Sequence, residues 1–229
     1  MGKNLVIGIE GLVGTGKTSI CRELLDDIPN SIVLHAGNVY RAITYQIMKE
    51  NIPVEQLHNI DLKKLFDMFE ISIKIEDRET VVYAHGKKIE EKDLQSLENS
   101  IAVSKISGMT NNENAYKIVK NYIDMYKKEY NVIFSGRDTV NIYPNLDYHF
   151  FITADIDKRV EWKCSQYKNE NSKEIIRDNI LKRDKLQEET GYYKKYDNTI
   201  IVDVSDSKSI KDSTKMVAKN IKEANESIF

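Results

Sequence analysis

The chain has 229 residues, 41% of them hydrophobic and 31% charged, with a formal net charge of -2. That length suits one α/β domain carrying inserted segments, and the balance of apolar and charged residues excludes both a disordered chain and a membrane span. A near-neutral total gives no general attraction to nucleic acid, and two isolated cysteines, Cys21 and Cys164, do not make a disulfide scaffold.

Asn4 to Glu10 is a short apolar run bounded by turn residues, the pattern of a strand buried on both faces of a parallel sheet. A glycine-rich loop follows, and Ile20, Leu24 and Leu25 then recur at helical spacing from Lys17 to about Asp27. Ser31–Leu34 reads as a second strand and Val39–Glu50 as the next helix. A short helix near Leu62–Phe69 precedes two alternating runs, Ile71–Ile75 and Thr80–Tyr83, which flank a polar turn at Asp77–Glu79 and predict a hairpin. Helical patterning covers Asn112–Glu129. Asn131–Phe134, Tyr148–Ile152 and Thr199–Val202 read as further buried strands, the last before a C-terminal helix. Between the last two strands, Asp155–Tyr196 is highly charged and reads as two helices with a mobile connection. The expected architecture is a three-layer α/β domain with a five-stranded parallel sheet, an inserted lobe containing an antiparallel hairpin and a helical lid. The core covers about 1–50, 107–155 and 197–229, the insert about 51–106 and the lid about 156–196. No secretory signal opens the chain, so the cytoplasm is the expected compartment. A monomer without nucleic-acid or membrane partners is the matching expectation.

The loop Gly11-Leu12-Val13-Gly14-Thr15-Gly16-Lys17-Thr18 satisfies G-x-x-x-x-G-K-[ST] and stands between strand and helix, the context that a phosphate-binding loop requires. In such a loop, backbone N–H groups wrap phosphate oxygens at a helix N-terminus, and Gly14 and Gly16 let the chain turn its amides inward. Lys17 is expected on the β/γ-phosphates of ATP, the Thr18 hydroxyl on Mg²⁺, and Ser19 beside them.

Three further elements occur in one order: Val39-Tyr40-Arg41-Ala42, Ala102-Val103-Ser104-Lys105-Ile106, and Ser135-Gly136-Arg137-Asp138. Together with the loop they make nearly the whole chain resemble the bacterial cytidylate kinases, P-loop kinases of nucleoside monophosphates. The resemblance implies transfer of the γ-phosphoryl group of Mg·ATP to CMP or dCMP. It implies acceptor contacts from Gly37, Tyr40, Arg41 and Arg137, with Ser104 and Asp138 on the cytosine ring. Arg183 is the implied lid cation, with Arg159, Lys163 and Lys182 on the same charged stretch. Arg41 and Arg137 also stand where such chemistry needs them, near the C-terminal ends of predicted parallel strands or at the helix that follows, and each offers a planar fork for phosphate. A surface ion pair is the ordinary explanation for a single arginine, and pairing with Arg137 the alternative for Asp138.

The chain also departs from the family pattern. His35-Ala36-Gly37 replaces an Asp-Ser/Thr-Gly triplet, Ser135 replaces an acid before Gly-Arg-Asp, and Gln95 and Glu113 fall near family arginines. Glu10 is a candidate for the remaining acid. The stretch Tyr192–Tyr196 reads as a surface connection. These departures leave two alternatives beside the cytidylate reading, a P-loop kinase with another small acceptor and a nucleotide-binding module without turnover.

Overall fold

In the computed structural model, which describes residues 3–53, 60–106, 113–166 and 172–224, the first apolar run forms β1 (Val6–Gly11), buried along its whole length. It lies at the centre of the parallel part of the sheet. β2 (Ser31–His35), β6 (Asn131–Ser135), β7 (Tyr148–Thr153) and β8 (Thr199–Asp203) complete five parallel strands in the order β2-β6-β1-β7-β8.

Successive side chains of β2, β6, β1 and β7 feed two different cores, which is why their sequences are continuously apolar rather than alternating; β8, expected to be buried, is instead an edge strand in which only Val202 is buried and Ile201 is exposed. Val6, Ile32, Leu34, Val132 and Phe134 pack on one face with α2 (Ala36–Lys49), α3 (Leu62–Met68) and α6 (Glu113–Tyr126). Ile7, Ile9, Val33, Ile133 and Phe150 pack on the other with α1 (Lys17–Asp27) and α10 (Ile210–Ala224). A third cluster joins α8 (Ile156–Gln166) to α9 (Lys173–Glu189) through Val160, Cys164, Ile176 and Ile180. The connection between those helices, 167–171, lies outside the described residues.

The hairpin corrects one expectation. β3 (Ser72–Glu76) and β4 (Glu79–Ala84) are antiparallel as predicted, with β5 (Lys87–Lys88) beside β4. They do not form a sheet of their own: β4 runs parallel to β2 at Val33 and Glu79, giving one eight-stranded sheet. The Val33 N–H donates to Arg78 O at 2.8 Å and the His35 N–H to Thr80 Oγ1 at 3.1 Å. Backbone groups on the edge of β2 would otherwise be unpaired, and the hairpin satisfies them. Two short helices, α4 (Glu91–Leu94) and α5 (Leu97–Ile106), follow the hairpin, and α7 (Thr139–Ile142) follows β6.

Candidate active site

The parallel strands end together: Gly11 stands beside Ile152, and His35 beside Ser135. Above those ends lies a cleft of about 670 Å³. Gly11 and Val13 to Ser19 line it, as do Gly37, Tyr40, Arg41, Arg137 and Arg183. The loop over β1 depends on glycine in the strict steric sense. At Gly11, φ is 147° and a Cβ would fall 2.1 Å from Ile152 O; Gly16 adopts φ 76° and opens α1 without a side-chain cap. The first amides of α1 therefore face the cleft with their dipole, which favours an anion there. Lys17 folds back along the loop, its Nζ donating to Gly11 O at 2.9 Å and Leu12 O at 2.6 Å.

The cleft concentrates positive charge. Burial, and after it the Arg137 guanidinium, push Lys17 down to about 7 against a smaller opposing pull from Asp184. Burial and Arg183 lower Arg137 to about 10, and burial with Arg183 and Arg41 lowers Lys163 to about 8. Such shifts arise where cations are packed together out of water, and a polyanion among them would favour the charged forms and offset both causes. Arg41 is aimed by Leu94 O at 2.8 Å and Ser100 Oγ at 2.9 Å.

The charged stretch after β7 divides its basic residues. Lys163 and Arg183 line the cleft, whereas Lys182 is exposed away from it. Arg159 is buried, donates to Val13 O at 3.1 Å and pairs with Asp184. Asp184 in turn accepts from the Val13 N–H at 2.9 Å and from the Tyr193 hydroxyl at 2.6 Å. Val13 also packs into the apolar cluster of α8 and α9, so this helix pair is clasped to the phosphate loop itself. Tyr192 and Tyr193, expected on the surface, line the cleft, with the Tyr193 ring edge-on to Phe151 at 5.6 Å. Sequence reading missed that position because aromatics mixed with lysines give no period to follow.

Two of the positions that depart from the family pattern, His35 and Ser135, touch one another. His35 Nδ1 is 3.1 Å from Ser135 Oγ, and its Nε2 is 3.1 Å from Glu79 Oε2. Glu79, delivered by β4, also receives Arg22 Nε at 2.8 Å, and Arg22 reaches Glu91 at 2.9 Å. Burial opposes the charge on Glu79, but the hydrogen bonds from His35 and Arg22 outweigh it and hold the carboxyl below its usual range. Glu10, the candidate remaining acid, is turned elsewhere. It is buried and accepts from the Thr139 N–H and, at 2.6 Å, the Thr139 hydroxyl, with His149 Nε2 at 3.4 Å. Its carboxylate thereby anchors the turn that carries Arg137 and Asp138.

At the other end of the cleft, Asp138 adopts φ 58° and sits behind Tyr116 rather than lining the cleft. Its Oδ2 accepts from the Tyr116 hydroxyl at 2.7 Å and its Oδ1 from Asn141 Nδ2 at 2.6 Å. Tyr40 brings its hydroxyl to the same end, where it is buried without a partner among the described residues. Gln95 lines the cleft within 3.5 Å of Asn38. The side chain of Ser104 lies outside the described residues. Tyr116 and Trp162, neither singled out from sequence, line the cleft as well.

No group of three or more His, Cys, Asp or Glu able to hold a metal ion occurs among the described residues. Mg²⁺ needs few protein ligands when it arrives on substrate phosphates with its own water, and the Thr18 hydroxyl at the start of α1 faces the cleft. The donor set therefore fits Mg²⁺ bound with a nucleotide and does not fit a resident metal centre. No helix among the described residues is long and apolar enough to cross a membrane.

Residues 7–223 match the profile of the cytidylate kinase family. A cytidylate kinase of Aquifex aeolicus (strain VF5) is 29% identical over 228 residues, 96% of this chain and 97% of its own. One from Clostridioides difficile (strain 630) is 28% identical over 188 residues, covering 80% and 82%. Among solved structures, a gluconokinase from Sinorhizobium meliloti 1021 shares the fold with a TM-score of 0.50 at 9% identity, over 98% of this chain and 94% of that one.

Proposed function

Since the chain belongs to the cytidylate kinase family, we propose that this ATP-dependent phosphotransferase moves the γ-phosphoryl group of Mg·ATP to CMP or dCMP. The observation that carries the reading is the cation cluster: Lys17, Arg41, Arg137, Lys163 and Arg183 meet in one cleft, and the charge of Lys17, Arg137 and Lys163 is disfavoured until anions join them.

The amides of the loop and the first turn of α1 hold the donor phosphates, and Lys17 exchanges its two loop carbonyls for phosphate oxygens. Arg41 and Arg137 hold the acceptor phosphate opposite, while Lys163 and Arg183 approach from α8 and α9. Charge on the transferring group is thus met from both sides by groups already in place, the largest contribution available to such a reaction. Mg²⁺ arriving with the nucleotide would be held by the Thr18 hydroxyl and would supply further positive charge to the phosphates. The acceptor oxygen is already anionic, so no strong general base is required, and the presence of His35 and Ser135 in place of acids is compatible with turnover.

The test is ADP production from Mg·ATP with each of CMP, dCMP, UMP, AMP, GMP and dTMP. Turnover concentrated on CMP and dCMP is the expected result; rapid turnover with a different monophosphate, or none with any, overturns it.

A further inference from the structure

Transfer to a nucleotide leaves one constellation at the cleft without a task. Ser135 Oγ lies 3.1 Å from His35 Nδ1, and His35 Nε2 lies 3.1 Å from Glu79 Oε2. A hydroxyl, an imidazole within hydrogen-bond reach and a carboxylate on the second ring nitrogen are the parts that make a serine nucleophilic. Glu79 can only accept, since Arg22 donates to both of its oxygens, at 2.9 and 2.8 Å, and keeps it an anion. In the neutral ring the proton is therefore directed to Nε2, and Nδ1 is left to receive from Ser135. Cys21 also contacts the Ser135 hydroxyl, but burial, against that hydrogen bond, pushes the thiol up to about 12. A protonated sulfur is a weak acceptor, so the imidazole has the stronger claim on the Ser135 proton.

The relay opens on the side where the donor phosphates are held. Ser135 stands beside Ile9, just before the phosphate loop begins at Gly11. Lys17 acts electrostatically on Cys21, the residue in contact with Ser135. Ser135 and His35 are both buried, yet they line the same cleft as Lys17 and Thr18.

We propose that Ser135 is itself a phosphoryl acceptor: with no acceptor nucleotide bound, its hydroxyl gives its proton to His35 and takes the γ-phosphoryl group of Mg·ATP, and Glu79 is the positioning residue that sets the His35 tautomer. A bond forms from Ser135 Oγ to the γ-phosphorus. The bond from that phosphorus to the oxygen bridging the β-phosphate breaks, and its electron pair leaves with ADP. The hydroxyl proton passes to His35 Nδ1, so an imidazolium ends between a phosphoserine and the Glu79 carboxylate. A nucleotide acceptor needs no base because its oxygen is already anionic; a serine hydroxyl does need one, and the relay supplies it. This activity lies beyond transfer to CMP or dCMP and uses only the donor half of the site.

The experiment incubates the whole chain with Mg·ATP labelled in the γ-phosphate and no acceptor. The expected product carries at most one phosphoryl group per chain, stable in acid as a phosphoserine is, and mapped to Ser135 by peptide mass spectrometry. Its rate per chain is independent of protein concentration, because donor and nucleophile share one cleft. Ser135→Ala takes no label. His35→Asn slows labelling about 100-fold or more, the value of a general base. Glu79→Gln slows it as well at saturating Mg·ATP, while the Mg·ATP concentration giving half the maximal rate stays unchanged, which separates a misplaced proton from a damaged donor site. The fluorescence of Trp162, the one tryptophan in the chain, which lines the cleft, reports Mg·ATP binding in each variant. Where His35→Asn fails to bind, Glu79→Gln and the mapped position in the wild type decide. A wild type that takes no label, a label that is acid-labile or on another residue, a rate that rises with protein concentration, or an undiminished rate in a His35→Asn protein that binds Mg·ATP overturns the proposal.

Discussion

Lys17 makes nucleotide binding sensitive to pH in a calculable way. Its side chain is held at about 7 by burial and by Arg137, against an ordinary 10.5. Phosphate oxygens favour the charged form, so binding must return a proton to the lysine, and the complex is disfavoured as pH rises above the free value. A group with a value of about 7 is half charged at pH 7 and about 1% charged at pH 9, so affinity for Mg·ATP should fall about fifty-fold over that interval. Proton uptake should rise from about 0.5 toward 1 in the same range, in which phosphate groups have finished ionising. Lys163, at about 8, adds a shallower loss at the alkaline end. The sign for the protein without nucleotide is opposite. Between about 7 and 10.5 the unfolded chain binds more protons at this position than the folded one, so the contribution of Lys17 to stability increases with pH. Calorimetric titration of Mg·ATP at pH 7, 8 and 9, in two buffers of different ionisation enthalpy, reads both affinity and proton uptake. Lys17→Arg stays charged throughout and should keep only the shallow limb. A wild-type affinity that is flat from pH 7 to 9, or a Lys17→Arg protein with the same slope, would refute the reasoning.

Other perturbations separate the parts of the site. Lys17→Ala should lower transfer by about 10²- to 10³-fold with every acceptor, whereas Arg137→Ala should remove the response to CMP while Mg·ATP still binds; steady-state kinetics with varied donor and acceptor tell them apart. Gly11→Ala should cost roughly 3 kcal/mol or more, because its Cβ meets backbone at 2.1 Å, and urea unfolding showing a loss below about 1 kcal/mol would contradict the steric account. Asp184→Ala strands the buried Arg159 and releases the Val13 amide, at a cost on the order of 3 kcal/mol; hydrogen exchange should rise first in α8 and α9. Glu79, whose folded value lies below the ordinary 4.5, adds stability that is present above that value and is lost as pH falls through its own lower one. Glu79→Gln should therefore flatten the acid limb of a stability profile.

Much of this arrangement is local and was legible in the chain. The strand, loop and helix from Val6 to Asp27 follow from a continuous apolar run, two glycines that can take positive φ, and a 3.6-residue period, none of which needs distant contacts. Four of the five parallel strands announce themselves in the same way, since burial on both faces leaves little polar residue in them; β8, at the sheet edge, is apolar but largely uncovered, with Ile201 exposed. Arg41 and Arg137 could be placed in the cleft because each lies close to a strand end whose position the α/β order already implied, whereas Arg183 was placed by the family resemblance alone.

What sequence alone left undecided depends on groups far apart in the chain. Arg159 and Lys163 lie one helical turn apart, yet one is buried against Val13 and Asp184 while the other lines the cleft, and only the seating of α8 on the phosphate loop separates them. His35 and Ser135 read as two losses; the parallel register of β2 and β6 makes them neighbours, and pairing of β4 with the edge of β2 brings them Glu79. Tyr116 carries no signal along α6, where an aromatic reads as core. It becomes part of the site because α6 packs beside the turn at Asp138, 22 residues further on. Period, glycine and charge along the chain determined the scaffold and its phosphate loop, because those are properties of neighbouring residues. Which polar groups satisfy one another, and so which atoms remain for a ligand, was decided only when the tertiary fold brought distant donors and acceptors within reach.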